Sequence, residues 1–372
     1  MNNVIFQVAT VFSFHDNFNK SNISILKEMG FDVHLVANET AFNYSEKRRK
    51  DFYDYCHSHQ ITLHHLDIPR SPYRLISLVK SYFQLMDLLK KQNVTLIHSH
   101  TPVGGLLGRL AAKKLSIKSI YTAHGFHFFK GAPLLNWLIY YPIEKWLSRY
   151  TDGIIAINHE DYDVVKSWKW VKSYYIPGVG IETDRFGSKQ DDKNFLPIKF
   201  ISIGELNKNK NLAYVIKHVA DLNMPFEYSI AGRGLLTEAY TALIEDSGQS
   251  EKIKLLGFID DIPKLLSSQD IFVMPSLREG LPVALMEAMA AGLPILASDI
   301  RGIRDLVVKD LGGFLFDLRK PSEFIDKLTI LIDNPDLRAQ MSQHNQKKAK
   351  DYDITKIREQ MKLIYSQFLE EI

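Results

Sequence analysis

Short apolar runs alternate with helical patterns along the whole chain, and this alternation constrains the fold more than any single motif. In the first half the runs are "NVIFQVA" (3–9), "DVHLVA" (32–37), "ITLHHLD" (61–67), "VTLIHSH" (94–100), "KSIYTAH" (118–124) and "GIIAIN" (153–158). In the second they are "IKFISIG" (198–204), "PFEYSIAG" (225–232), "IKLLG" (253–257), "DIFVMP" (270–275), "LPILAS" (293–298) and "GGFLF" (312–316). A strand covered on both faces reads as a near-continuous apolar run, so strands alternating with helices specify βαβ units and parallel sheets. The 372 residues exceed one ordinary core of roughly 150 residues, which implies two domains. Between the two series lies "YYIPGVGIETDRF" (174–186), where Pro177, Gly178 and Gly180 interrupt any regular element. The expected organisation is therefore α/β, with doubly wound Rossmann-like domains at 1–178 and 179–352. The amphipathic segment 353–372 is expected to pack back on the first domain. Ligands in such sheets bind beyond the carboxyl ends of the strands, and two facing sheets enclose a cleft.

Composition narrows the class. With 45% apolar and 24% charged residues the chain has the make-up of an ordinary globular protein, which argues against long disorder. A single cysteine, Cys56, allows no internal disulfide and fits a reducing compartment. "MNNVIFQVATVFSF" lacks a charged leader and reads as a buried strand, so a cytoplasmic location is expected. No run of about 18 apolar residues predicts a transmembrane helix, which leaves peripheral attachment to a membrane open. Charge is divided unevenly: residues 1–178 carry 21 Lys and Arg against 14 Asp and Glu, and the rest 25 against 29. The basic half could face an anionic partner such as a membrane surface, or be a solvated face with none.

"REGLPVALMEA" (278–288) sets Glu279 and Glu287 eight positions apart. Paired carboxylates suggest an acid and a base at a glycosidic bond, but on a helix eight residues span about 12 Å. Retaining and inverting glycosidases need separations of about 5 to 9.5 Å, so the pair fits poorly. If the helix starts near Pro282, the amides around Gly280 to Val283 are the unpaired donors of a helix N-terminus, suited to a phosphate. Glu279 and Glu287 would then accept hydrogen bonds from hydroxyls on either side of it. A phosphate flanked by polyols describes a sugar nucleotide.

Extended through its flanks, "PSLREGLPVALMEAMAAGLPILASDIRG" (275–302) resembles the signature of the family 4 glycosyltransferases, retaining enzymes of GT-B fold, over the whole motif through Gly302. The resemblance implies two facing Rossmann-like domains with a cleft, the first binding the acceptor and the second the nucleotide sugar. It implies that Glu287 binds the ribose and Glu279 the sugar hydroxyls. The amides at Gly280, Leu281 and Val283 would approach the diphosphate, to which Pro282 can donate nothing. Backbone groups near Phe258 and Ile259 would read the base, which fits uracil.

"ISIGELNKNKN" (201–211) ends a strand at Gly204 and follows it with Lys208 and Lys210, cations placed where a leaving diphosphate needs neutralising. Relatives usually carry arginine where this chain has Glu205; Lys210 matches the family lysine, and Lys208 or Arg233 of "AGRG" could stand in for the missing arginine. "IYTAHGFHFFKG" (120–131) ends in His124-Gly125, which by the resemblance contacts the transferred sugar near its reacting carbon; His127 is a weaker candidate. His98 and His100 lie on one strand face, formally a metal pair, but no third ligand follows, and no metal or other cofactor is expected. The pairs Asp161/Asp163 and Asp351/Asp353 read as solvated faces. The segment 9–22, read as a loop, lacks the family's Gly-Gly pair and resembles the exopolysaccharide and capsule subgroup; His15, Asn19 and Lys20 are its acceptor-side candidates. "FHFFKGAPLLNWLIYYPIEKWLSRY" (126–150) interleaves aromatics with Lys130, Lys145 and Arg149, a composition that suits a bilayer interface or a core. Nucleic acid is not expected, because no basic run accompanies the aromatics.

The expected activity is retaining transfer of a hexosyl or N-acetylhexosaminyl group from a UDP-sugar to a lipid-linked saccharide acceptor, undecaprenyl-diphosphate-linked, in exopolysaccharide or capsule synthesis. His124, Lys210 and Glu279 are the catalytic candidates. A non-catalytic sugar-nucleotide-binding protein would not need Lys210 and His124. A Rossmann dehydrogenase would need a Gly-x-Gly-x-x-Gly fingerprint, of which "AGRG" supplies two glycines.

Overall fold

The computed structural model describes residues 3–40, 46–71, 73–187, 197–220, 222 and 224–369. Residues 370–372, at the end of the last helical segment named above, lie outside the described residues. The chain forms two compact units. One runs to Val179 and takes in the chain again from Ile357; the other is Gly180–Lys356.

The first unit is built on a seven-stranded sheet, β1 Val4–Val11, β2 Asp32–Asn38, β3 Thr62–His65, β4 Val94–His100, β5 Lys118–Ala123, β6 Gly153–Ala156 and β7 Lys172–Tyr175. The order is β3-β2-β1-β4-β5-β6-β7, and every pairing is parallel. The direction of winding reverses between β1 and β4, so the loops after these two strands leave on opposite sides and open a crevice. Register sets Gln7 of β1 beside His98 of β4, and His100 beside Thr122 of β5.

The last strand, "KSYY", is an addition to the sequence reading. It is four residues long and none of them is fully buried, so it shows no apolar run to detect. A second difference falls in 9–22. β1 continues to Val11, after which Phe12–Phe14, a π-turn at His15–Asn19 and the helix Lys20–Glu28 follow without a break. The segment is wound rather than a loop because Phe12, Phe14, His15 and Asn19 are all buried by winding it.

The C-terminal helix, Ile354–Leu369, buries Ile357, Met361, Ile364, Tyr365 and Phe368, the i, i+4, i+7 pattern of one apolar face. These side chains join the core formed by Ile5, Ile23, Leu35, Leu96, Ile120 and Ile155. Phe368 lies against Gly153, where a β-carbon would stand 2.5 Å from its ring.

The second unit carries a six-stranded parallel sheet, β8 Ile198–Ile203, β9 Phe226–Ala231, β10 Ile253–Gly257, β11 Ile271–Met274, β12 Ile295–Ser298 and β13 Gly313–Phe316. Its order, β10-β9-β8-β11-β12-β13, again reverses at the centre, between β8 and β11. Phe200, Tyr228, Ile230, Val273 and Leu296 from these strands meet Val215, Ile216, Phe324 and Leu328 from the helices that cover them.

Among the described residues no helix is long and apolar enough to cross a membrane. Phe368→Ala empties a fully buried aromatic site, and urea denaturation is expected to show a loss of about 3–5 kcal/mol.

Candidate functional site

In the second unit the loops leaving β8 and β11 are stitched together. The Leu277 amide donates to the Asn209 carbonyl at 2.8 Å. The Asn209 side chain donates to the Arg278 carbonyl at 2.6 Å, and the Asn211 side chain to the Pro275 carbonyl at 3.1 Å. Asn211 holds the left-handed conformation at φ 53°, which asparagine tolerates better than most residues. The result brings Lys210 to Glu279: Nζ donates to Oε1 at 2.8 Å, with the side chains 20% and 11% exposed.

Two close backbone approaches shape the floor. Gly232 passes Gly204 so tightly that a β-carbon would lie 1.9 Å from the Gly204 carbonyl oxygen. At Gly302, φ is 78° and a β-carbon would lie 2.1 Å from the Gly280 carbonyl oxygen. Only glycine fits either place. Arg233, exposed, runs past Gly257 at the neighbouring strand end.

The helix Val283–Ala290 begins with Pro282 as its N-cap and no side-chain cap. The Leu285 and Met286 amides both reach the Pro282 carbonyl, at 3.2 and 3.3 Å, so the helical ladder starts there. The amides ahead of it are free of that ladder and form the anion-favouring end of the helix. Leu281 is buried and anchors this turn. Glu287 sits on the second turn among buried Leu285, Met286, Ala288 and Met289. Burial pushes its carboxyl up to about 7, and the charge of Arg185 opposes that rise. Phe258 is 46% exposed and Ile259 half-buried, directly after β10.

The second unit thus gathers Gly204, Lys210, Arg233, Glu279, Gly280, Leu281, Val283 and Glu287 around the carboxyl ends of its central strands. Glu205 and Lys208, on the same loop as Lys210, are exposed as Arg233 is, and Glu205 accepts from the Asn207 side chain at 3.1 Å. Arg185 was not legible as a site residue, because it lies in the interdomain segment read only for its breaks.

In the first unit, His124 follows β5 at the crevice. Its loop is held from below by Asp161, whose carboxylate accepts from the Phe126 amide at 3.0 Å and the Asn158 side chain at 2.8 Å. Asp161 is 1% exposed, which corrects its reading as a solvated residue. The sequence could not show it, since Asn158 and Asp161 cap a helix whose start is buried. Asp353 is likewise engaged, accepting from the Thr183 hydroxyl at 2.5 Å. The His124 ring packs edge-on to Phe14, and burial lowers its pKa to about 4.

Around it lie His15, His98 and His100, all buried, with pKa values likewise lowered by burial. The nitrogens of His98 meet the Tyr365 and Thr122 hydroxyls at 2.7 and 2.8 Å. His15 and Asn19, proposed on the acceptor side, face inward with 0% exposure, while Lys20 pairs with Asp16. Among the described residues no group of three or more His, Cys, Asp or Glu is arranged to hold a metal ion.

The aromatic segment 126–150 divides. Phe126, Phe128, Trp137 and Tyr141 build a core with Trp168, whereas Leu134, Leu135 and Leu138 on the helix Leu134–Leu147 are 74%, 63% and 65% exposed. The helix Leu75–Lys90, unremarked in the sequence, exposes Leu75, Ile76, Val79 and Phe83, Ile76 to 88%.

Comparison with known proteins agrees with this architecture. Residues 182–348 match the family model for glycosyl transferases group 1, and residues 23–185 that for glycosyltransferase family 4. The chain is 35% identical over 370 residues to a Bacillus subtilis (strain 168) protein assigned as the glycosyltransferase EpsD, covering 92% of this chain and 91% of that one. It is 30% identical over 310 residues to the Escherichia coli UDP-Gal:alpha-D-GlcNAc-diphosphoundecaprenol alpha-1,3-galactosyltransferase, covering 78% and 80%. Anabaena Alr3699/HepE, solved in complex with UDP-glucose, superposes with a TM-score of 0.76 at 17% identity over 99% of this chain and 100% of that one. The family matches divide nearly the whole chain between them, and with the EpsD similarity they establish that it belongs to the family 4 glycosyltransferases, enzymes of GT-B fold.

Proposed function

We propose that this glycosyltransferase moves a hexosyl or N-acetylhexosaminyl group, with retention of configuration, from a UDP-sugar to a saccharide carried on undecaprenyl diphosphate. The observation that carries the donor assignment is the gathering of Lys210, Glu279 and an uncapped helix N-terminus at the β8/β11 reversal, with Glu287 one turn into that helix. The ammonium of Lys210 and the first-turn amides meet the charge of the departing diphosphate, with Lys208 or Arg233 standing in for the missing arginine. Glu287 takes the ribose hydroxyls, Glu279 those of the sugar, and the backbone at Phe258 and Ile259 the base. His124 contacts the transferred sugar. With these groups supplying the charge, the reaction needs no metal or other cofactor. The similar E. coli enzyme, named for a UDP-sugar donor and a diphosphoundecaprenol acceptor, supports both substrates, and HepE with UDP-glucose supports the donor.

Such an acceptor resides in a membrane, and we assign the contact with an anionic inner membrane to the exposed apolar faces of helices Leu75–Lys90 and Leu134–Leu147. Both helices touch the same helix, Pro102–Leu115, and Arg74, Lys80 and Lys130 are exposed on or beside them. Apolar side chains rimmed by cations suit a lipid surface.

Glu287→Ala is expected to weaken UDP binding by tenfold or more in titration calorimetry, roughly the worth of a charge-assisted hydrogen bond. His124→Ala should bind UDP as the wild type does and lose transfer, both assayed in EDTA. Equal UDP affinity in wild type and Glu287→Ala would remove the ribose assignment.

Ligand-free stability tests the burial of Glu287. A folded pKa of about 7 lies above the unfolded value, so the protonated carboxyl's contribution is complete below about pH 4 and is lost as pH rises through 7. Glu287→Gln should therefore match wild type at pH 4 and exceed it at pH 8, by on the order of 1–3 kcal/mol in denaturant melts.

On vesicles containing phosphatidylglycerol, the double change Ile76→Ser and Phe83→Ser should cut co-sedimentation severalfold without affecting UDP binding. Undiminished sedimentation would exclude this face.

A further inference from the structure

Gln7 lies in the middle of β1 with 0% exposure, and both ends of its amide are engaged. The carbonyl oxygen accepts from the Asn19 side chain at 3.1 Å and meets His100 Nε2 at 2.9 Å. The amide nitrogen donates to the Tyr365 hydroxyl at 3.3 Å. The orientation is fixed from outside: His15 Nε2 faces the Val36 carbonyl at 3.4 Å, which can only accept, so in this neutral imidazole Nδ1 is the acceptor and Asn19 turns its NH2 to it, at 3.0 Å, and to Gln7. Turning the Gln7 amide over would set two NH2 groups against each other.

A carbonyl oxygen cannot donate, so His100 Nε2 carries its proton. Burial keeps that imidazole neutral, which leaves Nδ1 with a lone pair. His124 Nε2 stands 3.3 Å from this lone pair and is therefore the donor. The remaining nitrogen of His124, Nδ1, is then an acceptor, and it has no hydrogen-bond partner among the described residues. His124 lines a pocket of the first unit with Phe18, Asn22, Thr122, Ile157 and Met361. Phe14, with its ring centroid 4.9 Å away and interplanar angle 77°, holds the imidazole plane.

We propose that Gln7 and His100 are positioning residues that hold His124 as its neutral Nε2–H tautomer, so that Nδ1 is offered to the pocket as an acceptor for a saccharide hydroxyl. Tyr365, on the C-terminal helix, anchors the far end of this relay through the Gln7 amide. The assignment rests on the reading of His124 as the sugar contact. It adds which nitrogen makes that contact, in which direction the hydrogen bond runs, and which side chains decide it. A free imidazole populates both tautomers; an acceptor lone pair fixed at His100 Nδ1 removes one of them and fixes the ring's rotation.

The full chain, labelled with 15N at histidine, gives the direct test through long-range 1H–15N correlation at neutral pH. His100 and His124 should both show neutral imidazoles protonated at Nε2. A His124 protonated at Nδ1, or averaged between the two forms, overturns the proposal, and this reading needs no variant to fold. His100→Leu should lower kcat roughly tenfold to hundredfold, the cost of a misoriented contact, with KM for the donor within about twofold. His100→Asn, which restores an acceptor oxygen where Nδ1 stood, should recover most of the loss. A folded His100→Leu enzyme with wild-type kcat overturns the positioning role. Undiminished transfer by His124→Ala would instead remove the sugar contact itself, a result that the NMR spectra do not depend on.

Discussion

The site proposed for the donor depends on the hydrogen bonds that join the loop after β8 to the loop after β11. Where the winding of a parallel sheet reverses, two adjacent strands send their chains to opposite faces, and the backbone groups at their ends lose the neighbours that a sheet would supply. Here Asn209 and Asn211 repair that loss by bonding three groups of the 275–278 segment. The repair fixes the two loops at one separation, and with it the distance between a lysine on one and a glutamate on the other. Gly302 completes the arrangement by letting the chain after β12 pass against the Gly280 carbonyl. A larger residue there would displace the turn that begins the helix Val283–Ala290.

The same reversal in the first unit, between β1 and β4, is closed differently. Polar side chains fill it: Gln7, Asn19, His15, His98 and His100, all nearly or wholly buried. Such groups are costly unless each finds a partner, and a network in which each is satisfied allows few alternative arrangements. Their hydrogen bonds run from Tyr365 on the last helix to His124 on the crevice. The C-terminal helix is therefore tied to the site by chemistry as well as by apolar packing.

Central strands such as β11 and β12 were legible because burial on both faces leaves unbroken apolar runs, and the edge strand β10 was legible because "IKLLG" is itself largely apolar. β7 was not, since a half-buried edge strand of four residues leaves no such run. The positions of Glu279 and Glu287 were legible from spacing and the helix start, because their placement is local. Arg185, the Asn158–Asp161 cap and the Gln7 relay were not. The partners of Arg185 and Gln7 lie from about ten to hundreds of residues away, while the Asn158–Asp161 cap is local but its burial is not written in it, since a buried aspartate looks in sequence like a solvated one. The aromatic segment 126–150 failed as a unit for a related reason: one helix has two faces, and only the fold says which of them is covered.

Lys210 and Glu279 illustrate how two residues assigned to a substrate can serve each other beforehand. Both are largely withdrawn from water, where either charge alone would be expensive. Paired, each offsets the other's charge and the two hold their geometry. An ammonium has three donors, so bonding Glu279 leaves two for a diphosphate, and the second carboxylate oxygen stays available to a hydroxyl. The pair therefore need not break when the donor arrives, and little reorganisation is left for the reaction to supply. It also makes the substitution of Glu205 for the family's arginine tolerable. Glu205 is exposed and occupied by the Asn207 side chain, while Arg233 passes the neighbouring strand end beside Gly257.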